Sequence, residues 1–238
     1  MKILITGATS GIGKQLALDY AAAGHTVIAC GRNTDALAEL EQVHPQHIAG
    51  QRLDVSDAAS TKQALAVYQD VDVVILSAGV CEYLDVEQFE AAMFERVFEV
   101  NVFGMMRCVE ALLPNLQAGS QLVFVGSTAR LLPFTKAQAY GGSKAAIQYI
   151  ARSLQVDLAK RGIHVQTVSP GFVKTPMTDA NTFEMPMQVT VEFASQRIRK
   201  GIANKTTDIT FPTLFGWVLK FLSRLPQSWQ VALSKRLS

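Results

Sequence analysis

Short apolar runs alternate with amphipathic stretches along most of this chain, and that rhythm restricts the fold more than any other feature. Residues 2–6, 26–30, 48–53, 71–76, 121–126 and 164–169 are brief, apolar and rich in β-branched residues. Such runs read as strands buried on both faces. Between them, residues 12–23, 34–43, 57–67 and 140–160 carry helical periodicity, the first closed by Gly24 and the second stopped before Pro45. Two long helical segments, 86–97 and 102–116, separate the fourth and fifth strands. Strand–helix alternation of this kind predicts βαβ units around a parallel sheet. The alternation lapses between Phe172 and Val189, and no repeat or linker interrupts the chain. One domain over residues 1–238 is therefore expected.

The composition agrees. With 49% hydrophobic and 18% charged residues, 238 residues suffice for one large α/β core. A formal net charge of +2 gives no reason to expect a nucleic-acid partner. Cys30, Cys81 and Cys108 are scattered and odd in number, without metal-ligand spacing; they read as small buried hydrophobes in a reducing compartment. His25, His44, His47 and His164 share no spacing with an acid or a cysteine, so no metal site and no histidine triad is expected. The apolar start reaches Thr6-Gly7 at once, which does not resemble a signal peptide, and no apolar run is long enough to span a bilayer. A cytoplasmic location is the resulting expectation.

Two stretches carry chemistry. Thr6-Gly7-Ala8-Thr9-Ser10-Gly11-Ile12-Gly13 joins the first strand to the first helix. Glycines there permit a tight turn and let a pyrophosphate approach the backbone N–H groups of a helix N-terminus. Further on, Tyr140 and Lys144 stand four residues apart, which on a helix puts both side chains on one face. An ammonium beside a phenol favours phenolate, so Lys144 is expected to lower the pKa of Tyr140 toward the range of a general acid or base.

Together with Ser127, thirteen residues before Tyr140, these stretches resemble the short-chain dehydrogenase/reductase family in its short, single-domain form, from Lys2 to about Thr178. The resemblance implies a doubly wound, three-layer Rossmann fold with a mainly parallel seven-stranded sheet, and a nicotinamide cofactor. It implies that Tyr140 exchanges the oxygen-bound proton, that Lys144 also binds the nicotinamide ribose, and that Ser127 holds the substrate oxygen, with neighbouring Thr128 as an alternative. Asn101 matches the asparagine of the proton relay, or else is a polar break between two helices. Gly7, Thr9, Ser10, Gly11, Ile12, Gly13, Ala78 and Gly79 would line the cofactor. So would Pro170, Gly171, Val173 and Thr175, the last four holding the nicotinamide amide. Ser77-Ala78-Gly79 departs from the family's Asn-Ala-Gly and leaves the anchoring of that strand end open. Asp54-Val55 resembles the adenine-binding pair, although an aspartate there also suits a turn or a helix cap.

Gly31 stands about where an NAD-preferring member has an acid, and Arg32 and Asn33 follow it. An arginine at that point suits a 2′-phosphate, so the expected cofactor is NADP(H). Arg130, where the family has small residues, is expected to be a solvated side chain. The implied activity is hydride transfer between nicotinamide and a carbonyl or secondary alcohol of a small molecule, by a homo-oligomer. An NADP(H)-binding regulator without turnover is a rival from another class, and an epimerase relative is disfavoured by the short remainder after Thr178.

Residues 172–204 are expected to form a substrate lid whose apolar content favours hydrophobic substrates, and residues 212–238 a helical tail. In the tail, Gly216, Lys220, Ser223 and Arg224 fall on one narrow stripe of a helix that is otherwise apolar, and no acid follows Asp208. That wide apolar face is expected to cover the substrate pocket or a subunit interface; weak, salt-sensitive contact with a membrane surface is the other reading.

Overall fold

The computed structural model describes residues 1–179, 181 and 183–236, with Arg236 described for its backbone only. Residues 180 and 182 of the expected lid and 237–238 of the expected tail lie outside the described residues. Seven strands, β1 (Lys2–Thr6), β2 (Thr26–Gly31), β3 (Ile48–Arg52), β4 (Val73–Leu76), β5 (Gln121–Val125), β6 (His164–Pro170) and β7 (Asp208–Phe211), form one sheet in the order 3-2-1-4-5-6-7. Every pairing is parallel. The helices are α1 (Gly11–Ala22), α2 (Thr34–Val43), α3 (Ala58–Leu65), α4 (Ala91–Phe98), α5 (Met105–Leu112), α6 (Gln138–Leu158), α7 (Pro176–Asp179), α8 (Val191–Ala203), α9 (Thr213–Leu222) and α10 (Gln227–Arg236). This is the expected doubly wound α/β fold.

Strand alternation divides the apolar residues between two layers. Ile3 and Ile5 join Leu16 and Ala17 of α1, Leu40 of α2 and Ile198 of α8 on one side of the sheet. Leu4 joins Leu65 of α3, Met105 and Val109 of α5 and Ile147 of α6 on the other. Because both faces are covered, the strand runs are continuous rather than alternating, which is why they stand out in the sequence.

Three expectations change. Residues 86–97 and 102–116 are not two helices with a break at Asn101. A 3-10 turn (Val86–Gln88) precedes α4, which runs through the π-helical segment Glu99–Gly104 into α5. The wide turn lets the Asn101 amide reach inward, and the residue is fully buried inside a continuous helix. The expected lid is also too long. Ala194, Ile198 and Ile202, at four-residue spacing, are buried in the core with α1, so α8 is the crossover from β6 to β7 and only the segment before it covers the cleft. Finally, Arg130 is not solvated. Its guanidinium is largely buried and reaches the Ser169 hydroxyl at 3.2 Å and the Asp208 carboxylate at 3.3 Å.

Asp208 also accepts from Lys220 of α9 at 2.8 Å. Burial by itself pushes its carboxyl upward, but the bond and charge of Lys220, then Arg130 and the Ser169 hydroxyl, together hold it below the usual carboxylate range. That cluster fixes α9 with Gly216 and Lys220 inward, whereas Arg224 of the expected stripe lies past the helix end and is exposed. Gly216 is buried against the Thr210 side chain, in space that a larger residue would fill. The apolar residues Leu214, Trp217, Val218 and Phe221 face outward. They do not cover the pocket; of this helix, Phe215 reaches the residues beside it.

Candidate active site

The chain leaves β1 toward β2 and β3 on one side and returns to β4 on the other, which opens a crevice beyond the carboxyl ends of β1 and β4. The Thr6 hydroxyl closes the floor by accepting from Ser77 N at 3.1 Å and Ala78 N at 3.2 Å. That pair anchors the end of β4 without the family's asparagine. Gly7 has φ +67°, and a Cβ there would lie 2.8 Å from the Ala78 Cα, so the two strand ends touch backbone to backbone. A Cβ on Gly13 would strike the Gly7 carbonyl. The turn therefore needs glycine at both places to bring α1 this close.

Ser10 occupies the N-cap of α1 in extended conformation but makes no side-chain cap bond, and no acid sits in the first turn. Gly11, Ile12 and Gly13 line the cleft at that helix end. Unpaired N–H groups and the positive end of the helix dipole make it suited to a phosphate. The cleft also receives Gly7, Thr9, Ser10, Ala78, Gly79, Pro170, Gly171, Val173 and Thr175, each expected from the sequence.

Arg32, Asp54 and Val55 line the same cleft at its other end. Gly31 is buried there, and a Cβ added to it would come 2.5 Å from the Thr9 Cγ2 methyl. Thr9 thus fills the room that an acid at position 31 would require. Asn33 does not join the lining: its Oδ1 caps α2, accepting from Asp35 N and Ala36 N at 3.1 Å each. Asp54 combines both readings. Its Oδ1 accepts from Ser56 N at 3.0 Å and from the Ser56 hydroxyl at 2.6 Å, a turn contact, while the residue borders the cleft. The hydroxyl bond, against burial and with help from the Ser56 amide, Arg32 and Arg52, keeps its carboxyl below the usual range.

Ser127, Tyr140 and Lys144 meet at the far end. Ser127 leaves β5, its oxygen accepting from Ala129 N at 3.1 Å while its hydroxyl meets the Tyr140 phenol. Thr128 is excluded from that role because its hydroxyl donates to Pro170 O at 3.0 Å. Lys144 lies one turn after Tyr140 on α6, its Nζ donating to Val125 O at 3.0 Å and lying 5.6 Å from the centre of the Tyr140 ring. The expected electrostatics are reversed. Burial pushes the Tyr140 phenol up to about 12, with the neighbouring Cys81 adding to it and the Ser127 hydroxyl offsetting part. Burial likewise pulls Lys144 down to about 8. Lys144 faces the ring and a carbonyl, so removal from water outweighs its help to the phenolate. At neutral pH this pair holds a protonated phenol beside an ammonium.

Asn101 stands behind the pair and does not line the cleft. Its Nδ2 donates to Val80 O at 2.9 Å and the Ser143 hydroxyl at 3.0 Å, and its Oδ1 accepts from Val80 N at 2.8 Å. A Cβ on Gly79 would meet Asn101 Oδ1 at 3.1 Å and Lys144 Nζ at 3.4 Å, so Asn101 holds that backbone against the lysine.

Sequence reasoning missed Cys81 and Tyr83. Cys81 is only partly buried and is not core filler: its thiol, pushed up by burial, interacts with Tyr83 and feels the charge of Lys144. Tyr83 packs edge-on against Phe183 at 5.6 Å between ring centres. Their position just past Gly79, in the segment that leaves β4 over the cleft, was the one signal available. Among the described residues, no cluster of histidine, cysteine or acids is arranged to hold a metal.

Comparison with known proteins fits this geometry. The family model of short chain dehydrogenases matches residues 1–185. An uncharacterized oxidoreductase of Myxococcus xanthus (strain DK1622) is 30% identical over 98% of this chain and 96% of its own length. A short-chain dehydrogenase from Sphingobium yanoikuyae in complex with NADPH superposes with a TM-score of 0.81 at 23% identity, covering 95% of this chain and 97% of the other. One from Burkholderia phymatum in complex with NAD superposes at 0.82 and 22% identity, covering 92% and 91%. The chain belongs to the short-chain dehydrogenase/reductase family of oxidoreductases.

Proposed function

We propose that this protein is an NADP(H)-dependent reductase that converts the carbonyl group of a small hydrophobic molecule to a secondary or primary alcohol. The observation that carries the reading is the convergence of Ser127, Tyr140 and Lys144 on one end of a cleft whose middle is the uncapped N-terminus of α1. A nucleotide-binding regulator has no need of that convergence. The residues fit a nicotinamide dinucleotide: the backbone contact of Gly7 with Ala78, and of Gly13 with Gly7, leaves main chain rather than side chains against the cleft. Gly11 to Gly13 would hold the pyrophosphate, Arg32 the 2′-phosphate, Asp54 and Val55 the adenine side, and Gly171 to Thr175 the nicotinamide amide.

When bound, the reduced nicotinamide supplies the hydride. Ser127, whose hydroxyl meets the Tyr140 phenol, turns its hydrogen to the substrate oxygen and orients it. Tyr140 gives its proton to the same oxygen as negative charge builds there. Lys144 stabilises the phenolate left behind, and Asn101 positions the Val80 backbone and Gly79 around the lysine. Reduction needs the phenol protonated, and it arrives so; the raised pKa weakens it as an acid, which leaves the Lys144 charge to stabilise the phenolate as it forms.

The charge on Lys144 sets the expected pH dependence. With the lysine near 8 and the tyrosine near 12, Lys144 titrates first as pH rises. The kcat/KM for carbonyl reduction is expected to be level below pH 8 and to fall above it, with Tyr140 still protonated. A pH series with NADPH checks this; a profile level to pH 10 would remove the lysine charge from the rate.

The reading includes a homo-oligomer. Support comes from exposed apolar side chains on two adjoining long helical stretches, Tyr149 and Val156 on α6 and Phe103 in the π-helical segment beside it. Light scattering at micromolar concentration is expected to give a multiple of 25.9 kDa. A particle of that single mass counts against it.

A further inference from the structure

We propose that the α9–α10 tail docks this protein on an anionic lipid surface and that the substrate reaches the active site from that lipid. The second half rests on the reductase reading; the first does not. The structure reverses the natural assignment of the α9 faces. Lys220 on Asp208 and Gly216 against Thr210 hold its polar side inward, which leaves the apolar side without a protein partner among the described residues. Leu214, Trp217, Val218 and Phe221, at spacings of three and four, form one outward face. Leu214, Trp217 and Phe221 are 65%, 69% and 65% exposed.

Two observations favour lipid as the occupant. The chain has two tryptophans, both in the tail, and Trp229 on α10 is 61% exposed as well. Tryptophan is suited to the boundary between headgroups and acyl chains. Beyond Asp208 the sequence carries Lys220, Arg224, Lys235 and Arg236 and no acid. Asp208 is already engaged by Lys220 and Arg130, so the exposed Arg224 and Lys235 complement an anionic surface. The two helices are also braced as a pair, since Gln230 Nε2 of α10 donates to Ser223 O at 3.0 Å and Leu225 O at 2.8 Å. No helix of the described residues is long and apolar enough to cross a membrane, so the tail lies on the surface.

The inner side of α9 connects this face to the site. Phe215 packs on Phe172 at 5.9 Å between ring centres and closely against Gly171, which lines the cleft. Phe172 packs on Phe183 at 6.1 Å, and Phe183 on Tyr83 at 5.6 Å. Tyr83 in turn lies near enough to feel Tyr140 electrostatically. A row of four rings therefore runs from the back of the lipid-facing helix to the substrate side of the catalytic tyrosine. The rings are in contact and leave no channel among themselves; they make the region between the docked helix and the catalytic end apolar, which suits a lipophilic carbonyl compound and offers nothing to an ionic one.

The test is flotation of the intact protein with vesicles of phosphatidylglycerol and phosphatidylcholine, or of phosphatidylcholine alone. Wild type is expected to float with the anionic vesicles at low ionic strength and to be released by salt of about 0.5 M. Trp217→Ser with Phe221→Ser, both exposed changes, is expected to weaken binding by about tenfold or more. The same variant should reduce decanal held in anionic vesicles at least about tenfold more slowly while keeping its rate on a water-soluble aldehyde. No flotation of wild type at low salt overturns the docking. Light scattering that shows the double variant losing a dimer or tetramer, without vesicle binding by wild type, assigns the face to a second copy and overturns it too. Vesicle binding without reduction of either aldehyde upholds docking, and overturns the reductase reading together with the delivery that depends on it.

Discussion

Tyr140→Phe is expected to lower the turnover of NADPH-driven carbonyl reduction by about a hundredfold or more, the usual contribution of a positioned general acid. The substitution removes one hydroxyl and keeps the ring against Lys144, so the buried packing around α6 survives. What is lost is the proton. Tyr140, pushed up to about 12, holds it at every physiological pH, and no other described group is as well placed to replace it: Ser127 orients the oxygen, Lys144 donates to Val125 O, and Asn101 has both its amide hydrogens and its oxygen engaged. NADPH should bind the variant as tightly as wild type, since the residues proposed for its pyrophosphate and 2′-phosphate lie in the middle and at the other end of the cleft. Fluorescence titration and steady-state kinetics separate the two effects. Near-wild-type turnover would take Tyr140 out of the mechanism, and a loss of NADPH binding in parallel would make the residue structural.

The strands were legible in the sequence because both faces of the sheet are covered, so each strand is a continuous apolar run. β7 was harder to read from its own residues. It has four residues at the sheet edge, and Asp208 and Thr210 within it serve α9 rather than the core. The helix through Asn101 defeated pattern reading for the opposite reason. Helical periodicity persists through residues 91–112, and nothing local announces a π-helical turn whose purpose is to bury one amide beside Val80. Amphipathicity identified the apolar side of α9 but could not say which side faces the protein, because that depends on a single carboxylate, Asp208, brought over by β7. Spacing likewise put Tyr140 beside Lys144 and missed the direction of the Tyr140 shift. Four residues on a helix establish proximity; burial decides the charge, and burial belongs to the tertiary structure. Cys81 and Tyr83 were missed because what singles them out is nearness to Tyr140, across some sixty residues of sequence.

In the proposed reading cofactor choice is the second large effect, and Arg32 and Thr9 are expected to set it. NADPH differs from NADH by a 2′-phosphate, which needs a cation and no acid beside the adenosine ribose. Arg32 borders the cleft where β2 ends, and Thr9 blocks an acid at position 31, since a Cβ on Gly31 would lie 2.5 Å from its methyl. Arg32→Ala is therefore expected to weaken NADPH binding by one to two factors of ten. That corresponds to losing a charge-assisted bond worth roughly 1.5–3 kcal/mol. NADH binding should change little, because its ribose hydroxyl makes no comparable demand on a guanidinium. Gly31→Asp in wild type should weaken both cofactors rather than convert one preference into the other, as the new carboxylate must first displace Thr9 from its place over the turn. Titration of both cofactors against the three proteins provides the comparison. Equal affinity for NADH and NADPH in wild type, or an unchanged preference in Arg32→Ala, would overturn the assignment of Arg32 and return the choice to groups such as Arg52, whose charge also reaches Asp54 at that rim.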